Sequence, residues 1–312
     1  MIRKIITFLA ISLFLFTSCS TDNGDGGGPT TPFIGGSTGL LSTFVEQAPP
    51  DEVFDGGDFP FDVEVNLNNL GETFVAKEDV RVKISGINPA DFGKTAADLI
   101  GNPEDDLEPT YQDPDGGIIE GTETYALFSD LNHGGELSGN TQFTIRADVC
   151  YQYETIANAL ICIKEDLLDQ SDTSVCVVSE DKTVYNSGAP VAVTAFREQA
   201  SGADKVAFIF TVSETGSGEI FKLGVDCDDS LRSNENKVHV SVNSGITGLA
   251  CSGLRDGDDT SGYITLHSGS RTVRCTQQLT DRTDYEKVLE ITLGYDYNEF
   301  IDADLLVKHT GD

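Results

Sequence analysis

Most of the chemistry open to this chain rests on seven cysteines: Cys19, Cys150, Cys162, Cys176, Cys227, Cys251 and Cys275. Cys19 stands alone near the N-terminus. The other six are an even set that suits three disulfides in an oxidising compartment, with fifteen pairings open. Zinc binding is the competing chemistry, and it needs ligands at short, regular spacing. The chain has no CxxC pair, and its histidines, His133, His239, His267 and His309, are scattered. Neither a metal nor a cofactor is expected.

Other residue types suggest chemistry without completing it. Asp256-Gly-Asp-Asp259 begins like a calcium loop but has no glycine at the sixth position and no glutamate at the twelfth. Asp226-Cys-Asp-Asp229 and Glu104-Asp-Asp106 come no closer. Gly35-Gly-Ser-Thr-Gly39 matches a nucleophile elbow in letters, yet that turn needs a buried strand before it and a helix after it, and this tract offers neither. Tyr151, Tyr153, Tyr295 and Tyr297 could stack against sugars. Strand alternation puts both members of each pair on one face, however, and core packing is the plainer reading. No nucleophile, base and orienting partner occur together, so no catalytic residue is assigned and a non-enzymatic protein is expected.

The elements that must position these residues begin with a leader. Arg3 and Lys4 precede an uncharged apolar run, residues 5–16, which is too short to span a bilayer and suits a secretory signal. The run ends in Phe16-Thr-Ser-Cys19, which resembles the lipobox of prokaryotic lipoproteins; Phe16 departs from the usual aliphatic residue there. The resemblance implies a lipid on Cys19, a signal peptide over 1–18 and a membrane as the first partner. Residues 19–41, rich in Gly, Ser, Thr and Pro, read as a flexible tether. With 20 Lys plus Arg against 52 Asp plus Glu, the net charge is −32, which repels nucleic acid.

Beyond the tether, short runs alternate apolar and polar residues with the period of half-buried strands. They include Phe61-Asp-Val-Glu-Val-Asn-Leu67, Val80-Arg-Val-Lys-Ile84 and Lys205-Val-Ala-Phe-Ile-Phe-Thr-Val212, with others over 142–150, 237–242, 263–266, 272–275 and 288–295. Helical periodicity is confined to pieces such as 95–100 and 164–168. An internal repeat at an offset of 144 residues links Cys150-Tyr-Gln-Tyr-Glu to Gly294-Tyr-Asp-Tyr-Asn, and 61–71 to 205–216. It predicts two tandem β-sandwich domains, at 42–180 and 188–312.

The repeat also suggests a disulfide. Cys150 and Cys162 would lie on two terminal strands of the first unit, and an antiparallel hairpin would let them bridge. Cys251 with Cys275, which end two apolar runs, and then Cys176 with Cys227 complete the expected set. One connection, residues 86–124, is long and studded with Pro and Gly; a recognition loop and a cover over the sheet edge are equally open readings.

Taken together, Gly71-Glu-Thr-Phe-Val-Ala-Lys-Glu-Asp-Val-Arg-Val-Lys-Ile-Ser-Gly-Ile87, Cys150-Tyr-Gln-Tyr-Glu-Thr with Cys162, Gly188-Ala-Pro-Val-Ala-Val-Thr194 and Ile291-Thr-Leu-Gly-Tyr-Asp-Tyr297 resemble surface lipoproteins of small-genome archaea. That likeness implies an all-β chain of two tandem immunoglobulin-like sandwiches, with no ligand or catalytic residues carried over. The expected function is a lipid-anchored, extracytoplasmic structural or adhesion-type binding protein whose partner is a protein or glycan at the cell surface. A transporter-associated substrate-binding lipoprotein is the alternative, and a surface hydrolase a weaker one.

Overall fold

The computed structural model describes residues 31–169, 173–280 and 283–310. Alternating β-branched and aromatic residues produce an all-β fold of the sandwich type. The first half contributes β1 (Leu40–Phe44), β2 (Glu52–Phe54), β3 (Phe61–Asn69), β4 (Val80–Ser85) and β5 (Ile100–Gly101). It continues with β6 (Tyr111–Gln112), β7 (Ile118–Ile119), β8 (Glu123–Leu131) and β9 (Thr141–Ile163). The second half begins with β10 (Glu180–Asp181), β11 (Val184–Asn186), β12 (Val191–Ala200), β13 (Lys205–Glu214) and β14 (Glu219–Phe221). It ends with β15 (Lys237–Asn243), β16 (Leu249–Ser252), β17 (Ser261–Thr265), β18 (Ser270–Gln278) and β19 (Tyr285–Lys308). The helical pieces expected at 95–100 and 164–168 are turns, and among the described residues the helical segments are two short 3-10 pieces, Lys77–Asp79 and Pro89–Phe92.

A long sheet ordered β17-β15-β19-β9-β4-β5 runs through both halves, with β11 added to β9, and with β14 and β2 added to β19. Two smaller sheets, β1-β3-β8 and β10-β12-β13-β18-β16, bury alternate residues in the same core cluster as the long sheet. On β9 and β19 the odd-numbered side chains form the buried face, from Ile145 to Ile163 and from Leu289 to Tyr297. Both halves delimited in the sequence thus place their longest strand in one ladder, and the described residues belong to a single compact unit.

The register of that ladder reproduces the internal repeat. Tyr151 pairs with Tyr297, Tyr153 with Tyr295, and Gln152 with Asp296, so shifting each residue by 144 exchanges the two strands about the Gln152–Asp296 pair. The repeat extends to the glycine turns. At Gly71 an added Cβ would overlap the Tyr153 hydroxyl, and at Gly216 it would overlap that of Tyr297. The glycine turns after β3 and β13 therefore each close over the second tyrosine of their own half's Tyr-x-Tyr.

Two expected disulfides are wrong because β9 does not turn. Residues 151–159 hold no glycine or proline and keep alternating burial, so the strand continues through them. Cys150 and Cys162 therefore lie on one strand, about 40 Å apart at a rise of about 3.3 Å per residue, and cannot bridge. Cys150 instead pairs with Cys227 (Cα–Cα 6.0 Å), and Cys162 with Cys176 (5.7 Å). Cys227 is brought to β9 by a turn whose Gly224 and Val225 N–H groups donate to the Asp296 carboxylate at 2.8 Å each. The expected Cys251–Cys275 bridge is present, between directly opposed residues of β16 and β18.

The 86–124 connection is mostly a structural cover. Phe92, Leu99 and Leu107 are fully buried, with Phe92 edge-on to Phe61 (6.1 Å) and Phe143 (5.3 Å). Backbone bonds from Ile84 N to Leu99 O and between Val75 and Leu107 in both directions tie it down. Its large exposed apolar residues are Ile100 on β5 and, in the β6–β7 hairpin, Tyr111, Ile118 and Ile119.

Two buried carboxylates give stability opposite pH dependences. Asp55 accepts from Thr310 N (2.9 Å), His309 Nδ1 (2.8 Å) and Leu137 N (2.7 Å), fastening the last described residues to the body. These bonds, that of Thr310 first, hold its carboxyl well below the usual range. Its contribution is therefore present above the unfolded value of about 3.9 and is lost as pH falls through the lower folded value. Glu198 is fully buried and accepts from Cys162 N at 2.9 Å; burial pushes it up to about 8, against the Cys162 bond and the Lys182 ammonium at 3.6 Å. The folded state then keeps a proton that the unfolded chain releases near about 4.3, so stability falls as pH rises from there to 8. Burial shifts Glu154, Glu214 and Glu299 in the same direction. Thermal melts from pH 2 to 9 should peak between these limits. Asp55→Asn should flatten the acid limb and Glu198→Gln the limb toward pH 8; a limb unchanged in its variant would refute the assignment.

Candidate binding cleft

A cleft of about 670 Å³ opens where the two halves meet. Its floor is β19 around Glu299 and Ile301 with the hydroxyl ends of Tyr151 and Tyr297. One wall is β1 with the approach to it from Ser37. The other is Pro190 and the turn formed by residues 215–218. Each part has a local cause. The turn follows β13 and contains Gly216 and Gly218, both of which lie too close to Tyr297 for a side chain. Glu299 continues the odd-numbered face of β19 just beyond Tyr297, where the face changes from buried to partly open.

The polar groups of the cleft include two tyrosine hydroxyls, each accepting a backbone N–H, and one carboxylate bonded by a serine. Leu40 N donates to the Tyr151 hydroxyl oxygen at 3.3 Å, and Gly218 N to that of Tyr297 at 2.5 Å. Burial raises the pKa of Tyr151 well above the phenol range and that of Tyr297 to about 12, so both remain protonated. Ser42 Oγ donates to Glu299 Oε1 at 2.8 Å. Burial raises the Glu299 pKa, with the Ser42 bond opposing the shift. Such a site can hold a ligand through hydrogen bonds and one negative charge. None of the four histidines lines it.

The residues singled out in the sequence are distributed differently. Cys19 lies outside the described residues. The four tyrosines are core, as the plainer reading held, with rings edge-on at 5.7 Å for Tyr151–Tyr153 and Tyr151–Tyr297. Only the hydroxyl ends of Tyr151 and Tyr297 reach the cleft. In the acidic clusters the carboxylates accept backbone N–H groups: Asp258 Oδ1 from Thr260 N and Ser261 N at 2.8 Å and Asp228 Oδ1 from Ser230 N at 3.0 Å, each within its own turn, and Asp106 Oδ1 from Lys77 N of the first 3-10 segment at 3.0 Å. Among the described residues, no group of three His, Cys, Asp or Glu could hold a metal ion. The elbow-like Gly35-Gly-Ser-Thr-Gly39 leads into a strand, not a helix, and its last residues form the rim of the cleft.

Sequence reasoning missed Ser42, Glu299 and residues 215–218. They come from three distant segments, and the only trace of the site in the sequence was the repeated glycine turn at Gly216. No protein-family model matches the chain, and no curated protein matches it.

Proposed function

We propose that this is an extracytoplasmic, non-enzymatic binding protein, anchored by a lipid on Cys19, which presents two immunoglobulin-like halves at the cell surface and takes its partner in the cleft between them. The observation that carries the reading is the cleft itself: an open site between duplicated halves, bordered by hydroxyl donors, backbone edges and the half-buried Glu299. The three disulfides support an oxidising location. A transporter-associated substrate-binding protein would close two lobes by a hinge. Here the β9–β19 ladder runs unbroken through both halves, and closure would have to shear it.

The test is to fill the cleft without touching the core. Ser217 is exposed and lines the cleft. Ser217→Trp should keep the melting temperature of the parent and lower binding to arrays of surface glycans and displayed peptides by about tenfold or more, the loss of roughly 1.4 kcal/mol. Unchanged binding would place recognition elsewhere.

A further inference from the structure

The duplication shows what the cleft is shaped to receive. On β9 the edge turned away from β19 is taken by β11, which pairs antiparallel with residues 157–159. Ser187 extends that pairing: its N–H donates to Ile156 O at 2.8 Å, and its hydroxyl accepts from Ile156 N at 2.9 Å. Gly188 then ends the strand against a tyrosine, its carbonyl accepting from the Tyr153 hydroxyl at 3.4 Å. Shifted by the repeat of 144 residues, Ile156 becomes Phe300 and Tyr153 becomes Tyr297, and both of these line the cleft.

On β19 the same edge carries no strand. β14 covers it as far as Asn298 and β2 resumes at Leu306, and among the described residues nothing pairs with the stretch between them on this side. Leu306 N donates to Asp51 O and Lys308 O accepts from Asp55 N, so the even-numbered residues of β19 turn their backbone groups away from β9. Phe300, Asp302 and Asp304 therefore present N–H and C=O groups outward, and all three residues are exposed, Phe300 by 53%. The Tyr297 hydroxyl fits the same pattern. Its oxygen accepts from Gly218 N, and among the described residues no acceptor takes its proton. The chain's own counterpart of β11 is engaged elsewhere: β1 and β12 hold equivalent places beside β3 and β13, and Ile34 and Gly35, which precede β1, donate their N–H groups to the Glu72 carboxylate at 3.0 and 2.8 Å.

Charge narrows the partner. Asp302 and Asp304 are exposed on the open stretch, while Arg146, opposite Asp302, has its guanidinium bonded to Asp148 and placed over the Phe300 ring. With a net charge of −32, a second copy of this chain or any acidic segment is repelled from such an edge, and a lysine or arginine is steered toward it. Resting on the cleft as the binding site, we infer that its occupant is an extended, basic segment of a partner protein that pairs antiparallel with β19 at residues 300–304, in the place that β11 takes on β9. The stretch from 299 to 305 is about 20 Å long at about 3.3 Å per residue, enough for a strand of ordinary length. Main-chain bonds supply the affinity of this mode, and the contact of a Lys or Arg with Asp302 or Asp304 supplies selectivity.

The first measurement is amide hydrogen exchange, followed by NMR on the intact protein. The amides of Phe300, Asp302 and Asp304 should exchange about a hundredfold faster than those of Ile301 and Ala303, which bond to β9. Equal protection of the two sets would mean that the edge is already satisfied and would overturn the inference. Binders are then selected from a displayed library of ten-residue peptides, and their affinities are measured by fluorescence polarisation. Selected peptides should be rich in β-branched residues, carry Lys or Arg, and protect the three even-numbered amides; winners without a basic residue would overturn the charge assigned to the partner. Asp302→Asn removes the carboxylate and keeps the N–H, and it should weaken binding severalfold and reduce its salt dependence. Asp302→Pro also removes the N–H, at an edge position where proline is tolerated, and should weaken binding about five- to tenfold more, as for one lost hydrogen bond. N-methylation of the peptide backbone gives the same information without depending on how that variant folds, and it should weaken binding at alternate positions only. Uniform sensitivity to N-methylation, or equal affinity for Asp302→Pro and Asp302→Asn, would overturn strand pairing. Glycan binding that is lost in Ser217→Trp, with no peptide selected, would overturn this inference and leave the cleft as the binding site. Ligands indifferent to Ser217→Trp would remove both.

Discussion

Replacing Cys150 and Cys227 together with alanine is expected to lower stability by about 4.5 kcal/mol, the chain-entropy value for a loop of this length. The bridge joins residues 77 apart, against 24 for Cys251–Cys275 and 14 for Cys162–Cys176. The same relation gives about 3.5 and about 3 kcal/mol for those two. The local structure adds to the difference, because Cys227 belongs to the turn that Asp296 holds against β19 at the centre of the repeat. In a chain of this size 4.5 kcal/mol corresponds to a fall in Tm of roughly 10 °C. Calorimetry of the three double variants should give that order, and peptide mapping under non-reducing conditions should recover the Cys150–Cys227 peptide. A Cys150–Cys162 peptide would contradict the continuous strand.

Truncation of Phe92 should be nearly as damaging. Its ring is fully buried among Phe61, His133 and Phe143, and Phe92→Ala is expected to cost about 3–5 kcal/mol. Replacing the whole 86–124 connection by a short Gly-Ser turn removes Leu99 and Leu107 as well and should abolish the folded state. Trimming only the hairpin tip, residues 112–118, should leave the thermal transition within a few degrees, since the tip is exposed. Urea denaturation of the three variants tests this. A full deletion as stable as the parent would mean that the connection is not part of the core.

The strand content and the repeat were legible because both are written in local pattern. Alternation marked β3, β4, β13 and β15 to within a residue or two at most ends, and the Tyr-x-Tyr motifs fell on paired strands. What misled was length. The stretch 151–159 has no turn residue, yet a 23-residue strand is far from the usual five or six, so the expectation of a hairpin there produced two wrong disulfides. The buried role of Phe92, Leu99 and Leu107 was hidden because they sit among prolines and glycines, where loop composition outweighs three isolated apolar residues. The cleft left no trace in the sequence beyond the repeated glycine turn at Gly216. Ser42 and Glu299 are unremarkable in type, stand 257 positions apart, and meet only because the odd face of β19 passes under the edge of β1.

The central claim, that the cleft is where this protein meets its partner, is tested most directly by photo-cross-linking on intact cells. A photoreactive residue would be placed at Leu41 or Ser217, on the two walls of the cleft, and for comparison at Leu160 or Val288, an exposed cross-strand pair on the other face of the long sheet. The account predicts one common adduct from both cleft positions and none from the comparison pair. An adduct formed from Leu160 and Val288, with the cleft positions silent, would contradict it.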